Sequence, residues 1–265
     1  MNPFRRVREI LAGVAHAFRF DNPFEYLLNW HLLRRRDPLI LRHAGFAVCV
    51  NAESSDAHVA AEILLHGMYD AAIRDAAEGR ARFGYLNLGA NIGVFDVRVA
   101  QLVRLPTVGL AVELNPFAHA RLLLNLELNR LHHVHALNAG ASSGPGSLRL
   151  VQIARDTGQE LPPPSEGKEG WPVPLVGWRE LVTLLGEDQT IDLLKVDIEG
   201  SEAAFLEGFA EHARRRVRRA VIESHGPKNH AAVERFFAEA GFAIVRRDAT
   251  GASTLLTTAR NSSLL

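Results

Sequence analysis

The sequence has one cysteine, no net charge and no apolar run long enough to cross a bilayer. Cys49 has no second cysteine with which to form a disulfide, which favours a reducing compartment. The 30 basic and 30 acidic residues balance, and this argues against a dedicated nucleic-acid-binding protein. Because the start of the chain shows no convincing signal peptide, we expect a cytoplasmic protein. The 47% of apolar residues allows a large α/β domain with a small appendage.

The first 44 residues differ from the rest because they are rich in arginine and poor in acidic residues. Apolar residues recur at helical spacing in two stretches, 4–18 and 26–33, so we expect two amphipathic helices. We interpret residues 1–44 as a lid or packing appendage on a main domain, residues 45–265. The alternative is a peripheral membrane contact, because basic amphipathic helices bind membrane surfaces.

From residue 83 onward, short apolar runs alternate with helical patterns, beginning with the strand, glycine turn and helix start of FGYLNLGANIGVF. The expected strands are Tyr85–Leu88, Val108–Val112, Val134–Leu137, Ile191–Val196 and Val217–Ile222, with a closing pair at Phe242–Val245 and Ser253–Thr258. We also expect a strand over Phe46–Val50, a helix over Asp56–Tyr69 and a long loop over Arg155–Gly170. This alternation predicts an α/β fold with a mostly parallel, doubly wound sheet, whose ligands bind beyond the carboxyl ends of the strands.

Polar residues follow the first two strands of this predicted sheet. The turn Gly89-x-Asn91-x-Gly93 lets the backbone approach a ligand, and the next helix directs its free N–H groups toward that ligand. It lacks the third glycine of the dinucleotide fingerprint. Glu113, after the second strand, can accept both hydrogen bonds of a ribose diol, or it can simply be an acid that favours a helix N-terminus. Together the turn and Glu113 favour a nucleoside-containing cofactor.

Four segments in this order and spacing resemble the FkbM family of S-adenosylmethionine-dependent methyltransferases over about residues 58–247. They are YLNLGANIGVF, AVELNPFAHARLLLNLELN, IDLLKVDIEGSEAAFLEG and VIESHGP. The resemblance implies a Rossmann-like class I methyltransferase fold with an antiparallel closing strand. It also implies transfer of a methyl group to oxygen, usually a hydroxyl of a sugar or natural product, so a small-molecule or saccharide acceptor is the expected partner.

The resemblance assigns cofactor contacts to residues after four strands. The glycine turn, including Ala90, would line the methionine part, Glu113 would hold the ribose with Asn115 beside it, Asn138 and Ala139 would flank the adenine, and Asp197 would face the methionine end and the acceptor. The family usually has an aspartate where this chain has Asn87. That substitution is expected to weaken the contact with the cofactor's ammonium group.

Charged residues at the ends of the fourth and fifth strands are the candidates for catalysis. Lys195 and Asp197 share strand parity, so they are expected to form a partly buried ion pair with either a structural or a catalytic role. Glu223 and His225 share parity on the next strand. A hydroxyl acceptor must lose its proton, and Asp197 or His225, whose ordinary pKa suits the task, is the expected base.

Asp197, Glu199, Glu223 and His225 can alternatively form a divalent-cation site of the Mg or Mn type. The competing interpretation is a metal-free acid–base pair. Two other functions stay open, an N-methyltransferase and a cofactor-binding module without catalysis, the latter because of Asn87. The pattern identifies neither the acceptor nor the oligomeric state.

Overall fold

The computed structural model describes residues 14, 17–28, 38–51, 54–150, 170–186 and 189–264, and these have the alternating order that the pattern predicts. The helices are α1 (Pro23–Leu27), α2 (Asp56–Ala60, continued by a π-helical turn Ala61–Leu65), α3 (Asp70–Ala77), α4 (Val94–Leu102), α5 (Pro116–Leu128), α6 (Trp178–Leu185), α7 (Glu202–Leu206), α8 (Ala210–Arg216) and α9 (Gly226–Ala240). Within these ranges, no helix is both long and apolar enough to cross a membrane.

The strands form one central sheet, one small side sheet and one hairpin. They are β1 (Leu39–His43), β2 (Phe46–Val50), β3 (Phe83–Leu88), β4 (Thr107–Glu113), β5 (Val134–Asn138), β6 (Gly140–Ala141), β7 (Gly146–Leu150), β8 (Trp171–Val176), β9 (Leu193–Val196), β10 (Arg219–His225), β11 (Phe242–Ala249) and β12 (Thr254–Asn261). The central sheet has the order β11-β12-β10-β9-β3-β4-β5. Its first five strands in the chain pair in parallel, and β12 pairs antiparallel with both β10 and β11. The predicted fold class is therefore confirmed.

Strand β3 lies in the interior of this sheet, between β9 and β4, and all six of its residues are buried. Parallel strands are covered by helices on both faces, which is why β3 reads as an almost continuous apolar run. Tyr85 packs into the core on one face, whereas Leu86 and Leu88 pack into the core on the other. The polar exception is Asn87, and its position directs attention to the strand end that follows it.

The described part of the N-terminal segment packs against the main domain. Ala17, Phe20 and Tyr26 belong to the same buried cluster as the core of the sheet. Strand β1, which the pattern does not predict, pairs antiparallel with the predicted strand β2, so the expected boundary after residue 44 falls in the turn of a hairpin. The rest of the two predicted amphipathic helices, residues 4–13, 15–16 and 29–33, lies outside the described residues.

Asn125 of α5 and Asn129, the residue that caps the end of this helix, hold the edge of the hairpin. Asn125 accepts a hydrogen bond from the Cys49 N–H at 2.6 Å and donates to the Cys49 carbonyl at 3.2 Å. Asn129 repeats the pattern one helical turn later with the N–H and carbonyl of Ala47, at 2.9 and 2.6 Å. The two amides therefore satisfy backbone groups on the β2 edge that a further strand would otherwise pair.

The predicted bounds of the strands in the central sheet agree with the structure within a few residues. Three short elements, β1, β6 and α8, have no counterpart in the prediction. The predicted loop over Arg155–Gly170 lies outside the described residues, except for its last residue.

Candidate active site at the carboxyl ends of the strands

The glycine turn after β3 contacts the end of β9. Gly89 has φ +73°, and a Cβ on it would lie 1.6 Å from the carbonyl oxygen of Asp197. A side chain is therefore excluded there by both sterics and backbone conformation. The Asp197 N–H donates to the Leu88 carbonyl at 3.0 Å, and Lys195 Nζ donates to the Gly89 carbonyl at 2.6 Å. The two strand ends thus form one continuous surface.

Glu113 joins the turn after β3 to the start of α5. Its side chain is buried, and its carboxylate accepts the N–H groups of Asn91 and Asn115, both at 2.7 Å. Burial raises the pKa of Glu113 above its ordinary value, although these two N–H groups oppose the shift. Each carboxylate oxygen has a second lone pair, so the group can still accept a further hydrogen bond.

The other residues that the resemblance assigns to the ribose and adenine support the loops. The side chain of Asn115 caps α5 by accepting the N–H of Phe117 at 2.9 Å. The amide of Asn138 donates to the carbonyl of Glu113 at 2.8 Å, and Ala139 is buried directly after it. The described contacts of these residues therefore hold the loops that follow β4 and β5 in position.

A buried carboxylate beneath the turn was missed by the sequence analysis. Asp96, in the first turn of α4, accepts hydrogen bonds from the Tyr85 hydroxyl and the Asn87 amide, both at 2.9 Å. Burial raises the pKa of Asp96 to about 6, against the lowering effect of these two donors. Asn87 Oδ1 is buried and has no hydrogen-bond partner among the described residues. The sequence did contain a signal for Asp96, because it is an acidic residue in the first turn of a mostly apolar helix.

A cavity of about 210 Å³ opens beside the glycine turn. It is lined by the glycine turn after β3, by residues at the ends of β9 and β10, and by residues between α2 and the start of α3. Its charged side chains are the acids Glu62, Asp197, Glu199 and Glu223 and the cations Lys195 and His225. Sequence analysis predicted the α2 helix but gave the lining residues Glu62, Met68 and Tyr69 no role.

The predicted ion pair of Lys195 and Asp197 is present. Lys195 Nζ lies 3.3 Å from an Asp197 carboxylate oxygen, and the lysine side chain is 4% exposed against 24% for the aspartate. The lysine also lies 6.0 Å from the centroid of the Tyr69 ring. Its charge is therefore used to hold the aspartate at the edge of the cavity.

His225 is bound on both ring nitrogens by carboxylates. Nδ1 donates to Glu202 Oε1 at 2.9 Å, and Nε2 lies 3.4 Å from Glu199 Oε2. Burial lowers the pKa of His225, but the hydrogen bond and charge of Glu202 and the charges of Glu199 and Asp197 outweigh it and raise the pKa to about 9. The expectation that His225 titrates near its ordinary value is therefore wrong, because its carboxylate neighbours stabilise the imidazolium.

Glu223 is the cavity carboxylate with a hydroxyl partner. Its Oε1 accepts the Thr250 hydroxyl at 2.7 Å, and no ion pair of Glu223 occurs among the described residues. Burial and the nearby Asp197 charge raise its pKa to about 7. Of the four predicted cation ligands, Asp197, Glu199 and His225 bring one ligand atom each within 4.8 Å of one another, and Glu223 lines the same cavity outside this group.

Comparisons with known proteins agree with this architecture. The model of the methyltransferase FkbM domain matches residues 87–244. The methyltransferase sdnD of Sordaria araneosa is 32% identical over 192 residues, which cover 61% of this chain and 74% of that protein. Among solved structures, the human methyltransferase 10 domain containing protein superposes with a TM-score of 0.53 at 12% identity, over 96% of this chain and 97% of that one. The METTL16 methyltransferase domain gives a TM-score of 0.53 at 10% identity, over 89% and 77%. The two structures share the fold, and the domain match and the relative show that the chain belongs to the FkbM methyltransferase family.

Proposed function

We propose that this chain is an S-adenosylmethionine-dependent O-methyltransferase that acts on a hydroxyl of a sugar or natural product. The observation that carries the proposal is that the glycine turn and two carboxylates line the same cavity. The glycine turn, which Glu113 holds by the Asn91 N–H, lines the same cavity as the carboxylates of Asp197 and Glu223. Residues suited to bind the cofactor and residues able to accept a proton therefore line a single cavity.

The residues at the turn fit the chemistry of this cofactor. Asn87 Oδ1 and Asn91 Oδ1 are buried acceptors that lack partners in the described part of the chain, and an ammonium group is a donor that can satisfy such atoms. Glu113 keeps acceptor capacity for the ribose hydroxyls. The excess of carboxylates in the cavity favours a positively charged ligand. When bound, S-adenosylmethionine supplies an electrophilic methyl carbon on a sulfonium.

Two of the cavity carboxylates have different proposed roles: Asp197 orients the acceptor hydroxyl, and Glu223 removes its proton. Lys195 holds Asp197, so this carboxylate can orient an acceptor hydroxyl by accepting its hydrogen bond. Glu223 has only hydroxyl donors as described partners, and it is the group that we assign to take the proton as the hydroxyl oxygen is methylated. His225, which is held by Glu202, lines the same cavity as the two carboxylates.

The Glu223→Gln variant tests this assignment. Loss of the proton acceptor should lower kcat by roughly 10²- to 10⁴-fold while the affinity for S-adenosylmethionine changes less than about threefold. Product formation is measured by mass spectrometry on a panel of sugar and natural-product alcohols, and affinity is measured by calorimetry. The matched control is Glu234→Gln, a neutralised acid on the surface. Undiminished turnover in Glu223→Gln would remove the base assignment, and no binding of S-adenosylmethionine by the wild type would remove the proposed function.

An amine acceptor is the second candidate, because the cavity holds four acids and two cations. A protonated amine is attracted by such an excess, but it must lose its proton before it can attack carbon. The same panel with matched amine and alcohol pairs separates the two. A methyl ether as the main product supports O-methylation, and an N-methyl product supports the alternative.

A further inference from the structure

The imidazole of His225 is oriented by a carboxylate that the cavity does not reach. Glu202 is fully buried, and its Oε1 accepts the His225 Nδ1–H at 2.9 Å. This bond directs Nε2 toward the cavity. Histidines that bind metals typically donate their other ring N–H to a carboxylate in this way, which fixes both the tautomer and the ring orientation.

The loop after β9 is held in one conformation around Glu199. Glu199 has φ +50° and Gly200 has φ +95°. The Gly200 N–H donates to Glu202 at 3.0 Å, and the Asn229 amide donates to the Gly200 carbonyl at 3.1 Å. As a result, one ligand atom each from Asp197, Glu199 and His225 lies within 4.8 Å of the other two.

Negative charge at this point exceeds the positive charge that the described residues provide. Among the described residues, the ion pairs of Asp197, Glu199 and Glu202 are with Lys195 and His225. The second oxygen of Glu202, Oε2, is buried and has no hydrogen-bond partner among the described residues. A buried carboxylate oxygen without a donor is costly, and a divalent cation beside His225 would offset that cost electrostatically.

We infer that Asp197, Glu199 and His225 bind one divalent cation of the Mn or Mg type, which replaces the proton on His225 Nε2. Carboxylate oxygens suit both ions, and the imidazole favours Mn²⁺ over Mg²⁺. Three protein ligands leave coordination positions open, so the cation can also hold an oxygen of the acceptor in the cavity while Glu223 takes its proton. This last role rests on the proposed function, whereas the binding of the cation does not.

Titration of the full chain with Mn²⁺ alone tests the site. After treatment with a chelator and removal of the chelator, we expect one saturable site by calorimetry and by electron paramagnetic resonance. Glu199→Gln and Asp197→Asn should each weaken binding at least about tenfold. Glu62→Gln is the matched control, because Glu62 is an acid that lines the same cavity outside the group, and its affinity should stay within about twofold.

A spectroscopic readout identifies the ligand atom of His225. Bound Mn²⁺ should show a ¹⁴N coupling that is lost in His225→Asn, and near-ultraviolet circular dichroism shows that each variant is folded. Absence of saturable binding, or equal weakening in Glu199→Gln and Glu62→Gln, overturns the inference. Binding of S-adenosylmethionine in EDTA is measured separately. If the cofactor binds and turnover is unchanged by EDTA, the role of the metal with the acceptor is overturned and the methyltransferase proposal stands.

Discussion

The parallel strands of the central sheet begin at one side, here called the amino edge, and end at the other, the carboxyl edge. Both sides contain carboxylates with little exposure, but the surroundings of these carboxylates differ. At the amino edge, Asp192 is 1% exposed and lies 3.0 Å from Arg80 Nε and 3.2 Å from Arg218 Nη1. Its other oxygen accepts the Gly84 N–H at 2.9 Å. One carboxylate therefore has two guanidinium groups and a backbone donor.

Asp75 repeats this arrangement nearby. It is bound by Arg219 and by Arg260, which are directly opposite each other on β10 and β12. At the carboxyl edge the ratio is reversed, since Asp197, Glu199, Glu202 and Glu223 surround Lys195 and His225. The carboxylates of the amino edge are compensated within the fold, and those of the carboxyl edge are not.

We propose that this difference separates structural charges from functional ones in the same sheet. A compensated buried carboxylate contributes to stability as long as all its partners are present. An uncompensated group costs stability and persists where it binds a ligand or moves a proton. The following variants test this distinction, beginning with the largest expected effect.

Replacement of Asp192 by alanine should give the largest loss of stability. The change leaves Arg80, Arg218 and the Gly84 N–H without their acceptor, and breaking a buried ion pair costs about 3–5 kcal/mol of unfolding free energy. Urea denaturation measures the effect. The Glu234→Gln control removes the exposed partner of Arg247 and should cost less than about 0.5 kcal/mol. A loss of under 1 kcal/mol in Asp192→Ala, on the order of a surface pair, would contradict the comparison.

Asp96→Asn should change how stability depends on pH. The pKa of Asp96 is raised in the folded chain from its ordinary 3.8 to about 6, so its ionisation opposes folding as the pH rises through this window. Relative to the wild type, the variant should gain about 3 kcal/mol of unfolding free energy between about pH 4 and pH 7. Thermal unfolding across this range measures the difference. A difference that does not change with pH would show that Asp96 ionises normally.

Asn87→Asp should destabilise the chain by about 2–3 kcal/mol, because it places a second carboxylate within hydrogen-bond distance of Asp96. The double variant Asn87→Asp, Asp96→Asn exchanges the two groups and should recover most of the loss. Urea denaturation of both variants gives the coupling free energy. If the changes in unfolding free energy of the two single variants simply add, the contact does not carry the effect.

Glu199→Gln should have the smallest effect on stability. Glu199 is 37% exposed in its side chain, and the relief of repulsion with Asp197 nearly cancels the lost contact with His225. We expect a change within about 1 kcal/mol in the absence of metal, together with the loss of Mn²⁺ affinity described above. A large destabilisation would place Glu199 with the compensated carboxylates of the amino edge.

The strands of the central sheet were predictable because buried parallel strands are apolar runs bounded by turns. The Lys195–Asp197 pair was predictable for a related reason, since side chains two residues apart on a strand share a face. Strand β1 and helix α8 were missed because β1 (LILRH) is too short to show a period and α8 (AEHARRR) has almost no apolar face.

The sequence pattern could not predict which side chains of different helices, strands and loops contact one another at the site. The bond between Glu202 and His225 joins residues 23 apart, and its effect on the pKa of the histidine depends on burial as well as on distance. The bond between Asn87 and Asp96 joins a strand to the helix after it across the glycine turn. Periodicity places a side chain on a face, but it does not say which neighbour that side chain finds.

The close approach of Gly89 to the Asp197 carbonyl has a consequence for the order of events during turnover. The turn that we propose binds the cofactor and the loop that we propose binds the acceptor are in backbone contact, and the Lys195 ammonium contacts both. As a result, a displacement of one loop would alter contacts of the other. We therefore expect arrival of the first ligand to change the affinity for the second, and the reverse coupling to be of equal size.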